Sequence, residues 1–278
     1  MTTTLLLQLS DLHIREPGRL AYGRINTAPY LQQAVHSITR LPQRPDAVVI
    51  TGDLTDFGRA AEYDHLRALL APLGSMPIYL LPGNHDDRSQ LRASFPEHAH
   101  YLGHDGFVQY SVPVGEMQLI ALDTVVPGAS AGSLCTQRLA WLEAELERQS
   151  HRPVVIAMHH PPFQTLIGHM DKIGLLEGAQ ALEAIVARHP NVERVICGHL
   201  HRSIQVRFGG SIASTVPAPA HQVSLDLSPQ APSTWMLEPP GFAIHALPRG
   251  ARMVSHLAAS GSFEGPFPFH EPDGQLID

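Results

Sequence analysis

Cysteine is nearly absent. Cys135 and Cys197 stand far apart in 278 residues, too few for a disulfide framework and in keeping with a reducing compartment. Cys197 ends an apolar run and reads as a small core residue. Runs of lysine or arginine are missing too, and 26 acidic against 19 basic residues leave a formal net charge of −7. That balance argues against long duplex nucleic acid as a partner. It does not exclude a small anion, because bound cations would set the local field. No stretch approaches the ~20 apolar residues of a membrane span. The start, Met1-Thr2-Thr3-Thr4-Leu5-Leu6-Leu7, lacks the basic region and the longer apolar core of a secretory leader. Cleavage at the usual leader length would also remove Asp11 and His13, so the expectation is a cytoplasmic protein off the membrane. Neither an internal repeat nor a low-complexity linker occurs.

Histidine, by contrast, is abundant at 18 residues, an excess that favours metal chemistry. Short apolar runs at residues 5–9, 47–50, 78–81, 119–122, 154–158 and 195–197 read as strands buried on both faces. Helical periodicity lies between them, at 29–41, 60–73, 137–149 and 178–189, the last stopped by Pro190. Alternating strands and helices predict an α/β architecture.

Five polar motifs each follow one of these runs. They are Asp11-Leu12-His13, Gly52-Asp53, Gly83-Asn84-His85-Asp86, His159-His160-Pro161-Pro162 and Gly198-His199-Leu200-His201. Open α/β sheets bind ligands at the carboxyl ends of their strands, and polar turns alone explain one or two such hits, not five. Asp11 and His13 are two apart at a strand end and can face the same way. The two oxygens of Asp53 can bridge two cations. Asn84 offers a neutral carbonyl oxygen, and His159, His199 and His201 offer imidazole nitrogens. These seven groups, with no thiolate among them, suit two adjacent cations and a water-dependent hydrolysis of phosphate esters. Two divalent ions bring about +4, and Asp11, Asp53 and a hydroxide offset about three of these charges. The remainder matches a phosphodiester monoanion better than a dianionic monoester.

The set D-x-H, G-D, G-N-H-D, H-H-P-P and G-H-x-H resembles the calcineurin-like metallophosphoesterase superfamily. Gly83-Asn84-His85-Asp86-Asp87, Arg44-Pro45-Asp46-Ala47-Val48-Val49, Met158-His159-His160-Pro161-Pro162 and Leu20-Ala21-Tyr22-Gly23 resemble its class III cyclic nucleotide phosphodiesterase and glycerophosphodiesterase branch. The likeness runs from residue 5 to about 225 and more weakly to the end. It implies a four-layer α/β/β/α sandwich, with the region from Phe107 and the C-terminal strands supplying the second sheet. It implies two divalent or mixed-valence transition-metal ions, Mn, Fe, Zn or Co. Asp11, His13, Asp53 and His201 would hold one, and Asp53, Asn84, His159 and His199 the other, His159 being chosen over its neighbour His160 by the match. Asn84 and His85 would be catalytic and would touch substrate, with His85 stabilising phosphoryl oxygens or assisting the leaving group. His221 would be a further substrate contact. Relatives of this kind form dimers or larger assemblies, so a homo-oligomer is expected.

The organisation expected is a catalytic domain over 1–225 and a C-terminal extension over 226–278 that completes the second sheet and forms a cap or oligomer arm. The loop 163–176 would shape access to the site. The function expected is hydrolysis of small phosphodiesters: cyclic nucleotides, glycerophosphodiesters or aryl diesters. A phosphomonoesterase or nuclease on the same site, and a catalytically silent metal-binding protein, are the alternatives. Asp56 stands where purple acid phosphatases carry a tyrosine ligand, and Asp86 where protein phosphatases of the superfamily carry glutamate. Asp56 and Asp123 could support ligands or cap turns, and Asp86 and Asp87 could cap the next helix or hold His85 in place.

Overall fold

The computed structural model describes residues 3–278. In chain order the strands are β1 (Thr3–Leu9), β2 (Ala47–Thr51), β3 (Ile78–Leu81), β4 (Tyr110–Val114), β5 (Met117–Leu122), β6 (Gly132–Ser133), β7 (Val154–Met158), β8 (Leu175–Glu177), β9 (Val192–Cys197), β10 (Gln205–Phe208), β11 (Ser211–Thr215), β12 (Gln222–Val223), β13 (Trp235–Met236), β14 (Gly241–Pro248) and β15 (Val254–Ala259). The helices are α1 (Ala28–Thr39), α2 (Ala60–Leu70), α3 (Arg88–Ser94), α4 (Ala99–Leu102), α5 (Thr136–Arg148), α6 (Gly168–Asp171) and α7 (Ala179–Arg188).

Two sheets carry the fold. One has the order β15-β14-β1-β2-β3, the other β10-β11-β9-β7-β5-β4. Strands β1, β2 and β3 run parallel, as do β5, β7, β9 and β11. Strands β14, β15, β4 and β10 pair antiparallel with their neighbours. The alternation along each strand decides the layering. Leu119, Ala121, Val155, Ala157 and Ile196 share one core with Leu6 and Val49 of the first sheet and with α1 and α2. The intervening residues Ile120, Leu122, Ile156, Met158 and Val195 face the other way, onto Leu142 and Leu146 of α5 and Leu182 and Val186 of α7. The result is the four-layer α/β/β/α sandwich, and it explains why these strands read as unbroken apolar runs.

The expected division of strands needs correcting. The apolar runs do not make one sheet: β1–β3 enter the first and β5, β7 and β9 the second. The region after Phe107 does supply β4 and β5 to the second sheet, but the C-terminal strands β14 and β15 complete the first, with β14 lying beside β1. β1 is thus an interior strand with β14 on one edge and β2 on the other, and Leu5, Leu6 and Leu7 are buried. The segment after 260 adds no named strand or helix and exposes Phe263, Phe267 and Phe269. No helix among the described residues is long and apolar enough to cross a membrane.

Candidate metal centre

The five motifs meet where the two sheets abut. Among the described residues seven non-glycines have positive φ, and five of these are Asp11 (56°), His13 (45°), Asp53 (47°), His199 (70°) and His201 (52°). Such residues cost about 1–3 kcal/mol each and cluster at functional sites. The left-handed turns are what let a strand end double back and aim two side chains at one point. Glycine is required beside them. A Cβ on Gly83 would lie 2.2 Å from Asp53 Oδ1 and 2.3 Å from its backbone nitrogen.

The imidazoles are wired from behind. His13 donates Nδ1–H to Asp56 Oδ1 at 3.2 Å, His159 donates to Thr51 O at 2.8 Å, and His201 donates to His221 O at 2.9 Å. In each neutral ring Nε2 is therefore the lone-pair nitrogen. These nitrogens converge. His13 Nε2 and His201 Nε2 are 3.3 Å apart, His13 Nε2 and His159 Nε2 lie 3.5 and 3.4 Å from Asp53 Oδ2, and His201 Nε2 lies 3.6 Å from Asp11 Oδ1. Asn84 Oδ1 is 3.2 Å from His159 Nε2. His199 Nε2 is buried with no hydrogen-bond partner. Lone pairs and carboxylates facing one another in a buried place need positive charge between them. The donor set, imidazole and oxygen without thiolate, suits two divalent transition-metal ions.

Protons would otherwise supply that charge, and unevenly. Burial works against protonating His159, but the Asp53 carboxylate overrides it and raises the ring to about 9. His13 is raised in the same way, against burial, by Asp56 and Asp53. His199 and His201 are lowered, first by burial. Asp53 is held well below the usual carboxylate range, against burial, by His159, His85 and His13.

The neighbouring residues sort by contact. His160 accepts from Thr124 Oγ1 (2.7 Å) and donates to Ser130 O (3.1 Å), so both its nitrogens are spent. Burial, helped by His159, lowers it to about 3. Asp86 accepts from Gly83 N, Leu54 N, Thr55 N and Tyr63 Oη, tying the Asp53 and Asn84 turns together. Asp87 caps α3 through Gln90 N. Asp123 grips Arg88 with both oxygens. His85 donates its backbone N–H to Asp53 Oδ1 and its Nδ1–H to Asp56 O, and its half-buried ring lines the cavity over the centre. His221 packs 4.5 Å from the His201 ring, with Nδ1 unpartnered.

That cavity is about 240 Å³ and is walled by Tyr22, Met170, Ile173, Val223 and Trp235. Met170 and Ile173 come from the 163–176 loop. Trp235 comes from the β12–β13 hairpin. Sequence reasoning missed Trp235, Met170 and Ser130 as walls, because nothing marks a lone apolar or hydroxyl residue as a wall. A larger hollow of about 690 Å³ lies along residues 161–164 and 174–181. Its one ionisable lining residue, Asp171, is spent on Thr165 and Leu166, so the chemistry belongs to the smaller cavity.

Known proteins resemble this chain. A family profile described as calcineurin-like phosphoesterase matches residues 4–203. The chain belongs to the calcineurin-like phosphoesterase family. It is 34% identical over 276 residues to a probable glycerophosphodiester phosphodiesterase GpdQ of Arcobacter nitrofigilis, covering 99% of this chain and 100% of that one. It is 35% identical over 269 residues to a probable cyclic nucleotide phosphodiesterase of Rhodopseudomonas palustris, covering 95% of each. A dimetal phosphatase structure from Danio rerio superposes with a TM-score of 0.68 at 20% identity, over 93% of this chain and 96% of that one. At that identity it speaks for the fold alone.

Proposed function

We propose that this calcineurin-like phosphoesterase is a two-metal phosphodiesterase acting on small diesters, among them cyclic nucleotides, glycerophosphodiesters and aryl diesters. One observation carries the reading. The Nδ1–H of His13, of His159 and of His201 is already given away, leaving Nε2 lone pairs and the Asp11 and Asp53 carboxylates turned on one another. In this reading Asp11, His13, Asp53 and His201 hold one ion, and Asp53, Asn84, His159 and His199 the other. Bound there, the ions would supply Lewis acidity at the phosphoryl oxygens and a water acidic enough to ionise near neutral pH.

The chain's own residues do the rest. Asp56, Thr51 O and His221 O fix the tautomers. Asn84 adds a neutral oxygen, which leaves its ion more electrophilic. His85, with Nδ1 engaged, keeps Nε2 to take or give a proton at a phosphoryl or leaving-group oxygen. His221 reaches the substrate from the opposite wall. Among the described residues no lysine or arginine lines the cavity, which favours a monoanionic diester over a dianionic monoester. The names of both relatives support a diester. The two unpaired cysteines support a cytoplasmic location, and the exposed Phe263, Phe267 and Phe269 support a homo-oligomer, which the mass in solution would read.

A substrate panel tests the function. Manganese-loaded protein should turn over bis-aryl phosphate, a cyclic nucleotide or a glycerophosphodiester with kcat/KM at least about tenfold above aryl monophosphate, a gap of about 1.4 kcal/mol. A preference for the monoester would overturn the diester reading. Absence of any turnover would favour a silent metal-binding protein.

A further inference from the structure

The interface between the sheets is mainly apolar; Tyr110 Oη donates across it to Leu80 O and Glu116 N to Thr4 Oγ1, and a longer buried chain of polar groups ends at the metal centre. Gln8 sits in the middle of it, 1% exposed, on β1. Its Nε2 donates both hydrogens, one within the sheet to Thr51 Oγ1 of β2 at 3.0 Å and one across to Cys197 O of β9 in the other sheet at 2.9 Å. Its Oε1 accepts from His245 Nε2 at 3.2 Å, on β14. His245 Nδ1 then accepts from Ser255 Oγ at 2.8 Å, and Ser255 Oγ accepts from Arg194 Nε at 3.3 Å. The donors all run one way, from Arg194 through Ser255 to His245, and from His245 through Gln8 to Thr51 and Cys197. Burial and then Arg194 lower His245 to about 3, which keeps the ring neutral and fixes that direction.

The far ends of the chain are the roots of the ligand loops. Thr51 O accepts Nδ1–H of His159 and the hydroxyl of Ser10, the residue before Asp11. Cys197 immediately precedes Gly198 and His199, and Gly198 N donates to His159 O. One carboxamide therefore joins the carboxyl ends of β1, β2 and β9, which carry Asp11, Asp53 and His199. The two sheets share no backbone ladder, and apolar contact alone fixes their separation loosely. Hydrogen bonds of set length fix it closely.

We propose that Gln8 is a positioning residue for the two-ion centre: its carboxamide, oriented by His245, sets the spacing between the sheets at which ligands from both can hold two ions together. The inference rests on the two-ion reading above.

Metal titration of the stripped protein tests it, with binding read by calorimetry rather than turnover. Wild-type protein should take up two Mn²⁺. Gln8→Leu should keep its fold, lose at least about tenfold in affinity for one ion, and lose kcat with KM within about twofold. Leu119→Ala serves as control, because it opens a cavity in the same interface without touching the polar chain. At a matched drop in Tm it should bind both ions as wild type does. Two tight Mn²⁺ on Gln8→Leu, or an equal loss of binding in Leu119→Ala, would overturn the proposal. Wild-type protein binding no metal would instead overturn the two-ion reading itself. If Gln8→Leu does not fold, Gln8→Asn decides in its place. Its shorter side chain keeps the carboxamide but cannot span to Cys197 O in the other sheet. Weakened binding of one ion supports the proposal, and unchanged binding overturns it.

Discussion

At the scale of single residues, the proposed ligands and the groups that orient them differ in how plainly the sequence announces them. Asp11, His13, Asp53, Asn84, His159, His199 and His201 could be picked out because each follows an apolar run, and the structure brings all seven together. Asp56 could not be settled, since an aspartate in a turn has many uses. Its use here is to take Nδ1–H of His13 with one oxygen while Arg15 Nη1 binds the other at 3.2 Å. The backbone carbonyls that orient His159 and His201 carry no sequence signal at all. Asp56→Asn keeps the shape and an acceptor but removes the charge behind His13. It should cost about 10–100-fold in metal affinity, the usual toll for such a partner. Far-ultraviolet circular dichroism should not change, and wild-type manganese affinity in the variant would remove the role.

At the scale of elements, strand type was legible and strand partnership was not. Apolar runs marked β2, β3 and β7 to within a residue or so, because strands buried on both faces must be apolar throughout. Which sheet each joins is decided by packing between distant segments. β1 bonds to β14 some 240 positions away, and no local pattern encodes that choice. The turns after the strands are built to closer tolerances than the strands themselves. Gly83→Ala puts a methyl group where Asp53 Oδ1 now lies. The Asp53 turn must move by an ångström or so, and a shift of that size costs about 100-fold in rate. We expect kcat/KM to fall at least that far and bound metal to fall below two per chain. Near-normal activity with full metal content would show that the turn can yield.

At the scale of the whole molecule, buried neutral histidines set the acid limit. His160 and His245 are each lowered to about 3, His160 by burial and His159, His245 by burial and Arg194. The unfolded chain takes up these protons near pH 6.5, whereas the folded chain takes them up only near 3. As pH falls from about 6.5 towards 3, protons favour the unfolded state and stability is lost. Below about 3 this loss levels off. Each ring contributes up to about 1.4 kcal/mol per pH unit across that window. Urea unfolding of metal-stripped protein should show the decline, and His245→Gln should lessen its slope by about one proton. A slope unchanged in that variant would mean that His245 titrates normally in the fold.

The pairing of β1 with β14 also orders events in time. While the polypeptide is being made, β1 emerges early and β2 can dock on one edge of it, but the other edge has no mate until residues 241–248 have been synthesised. The half of the cradle built on Asp11 and His13 therefore becomes rigid only once residues 241–248 have joined β1. A nascent chain stalled short of residue 248 exposes an unmated strand edge to its neighbours.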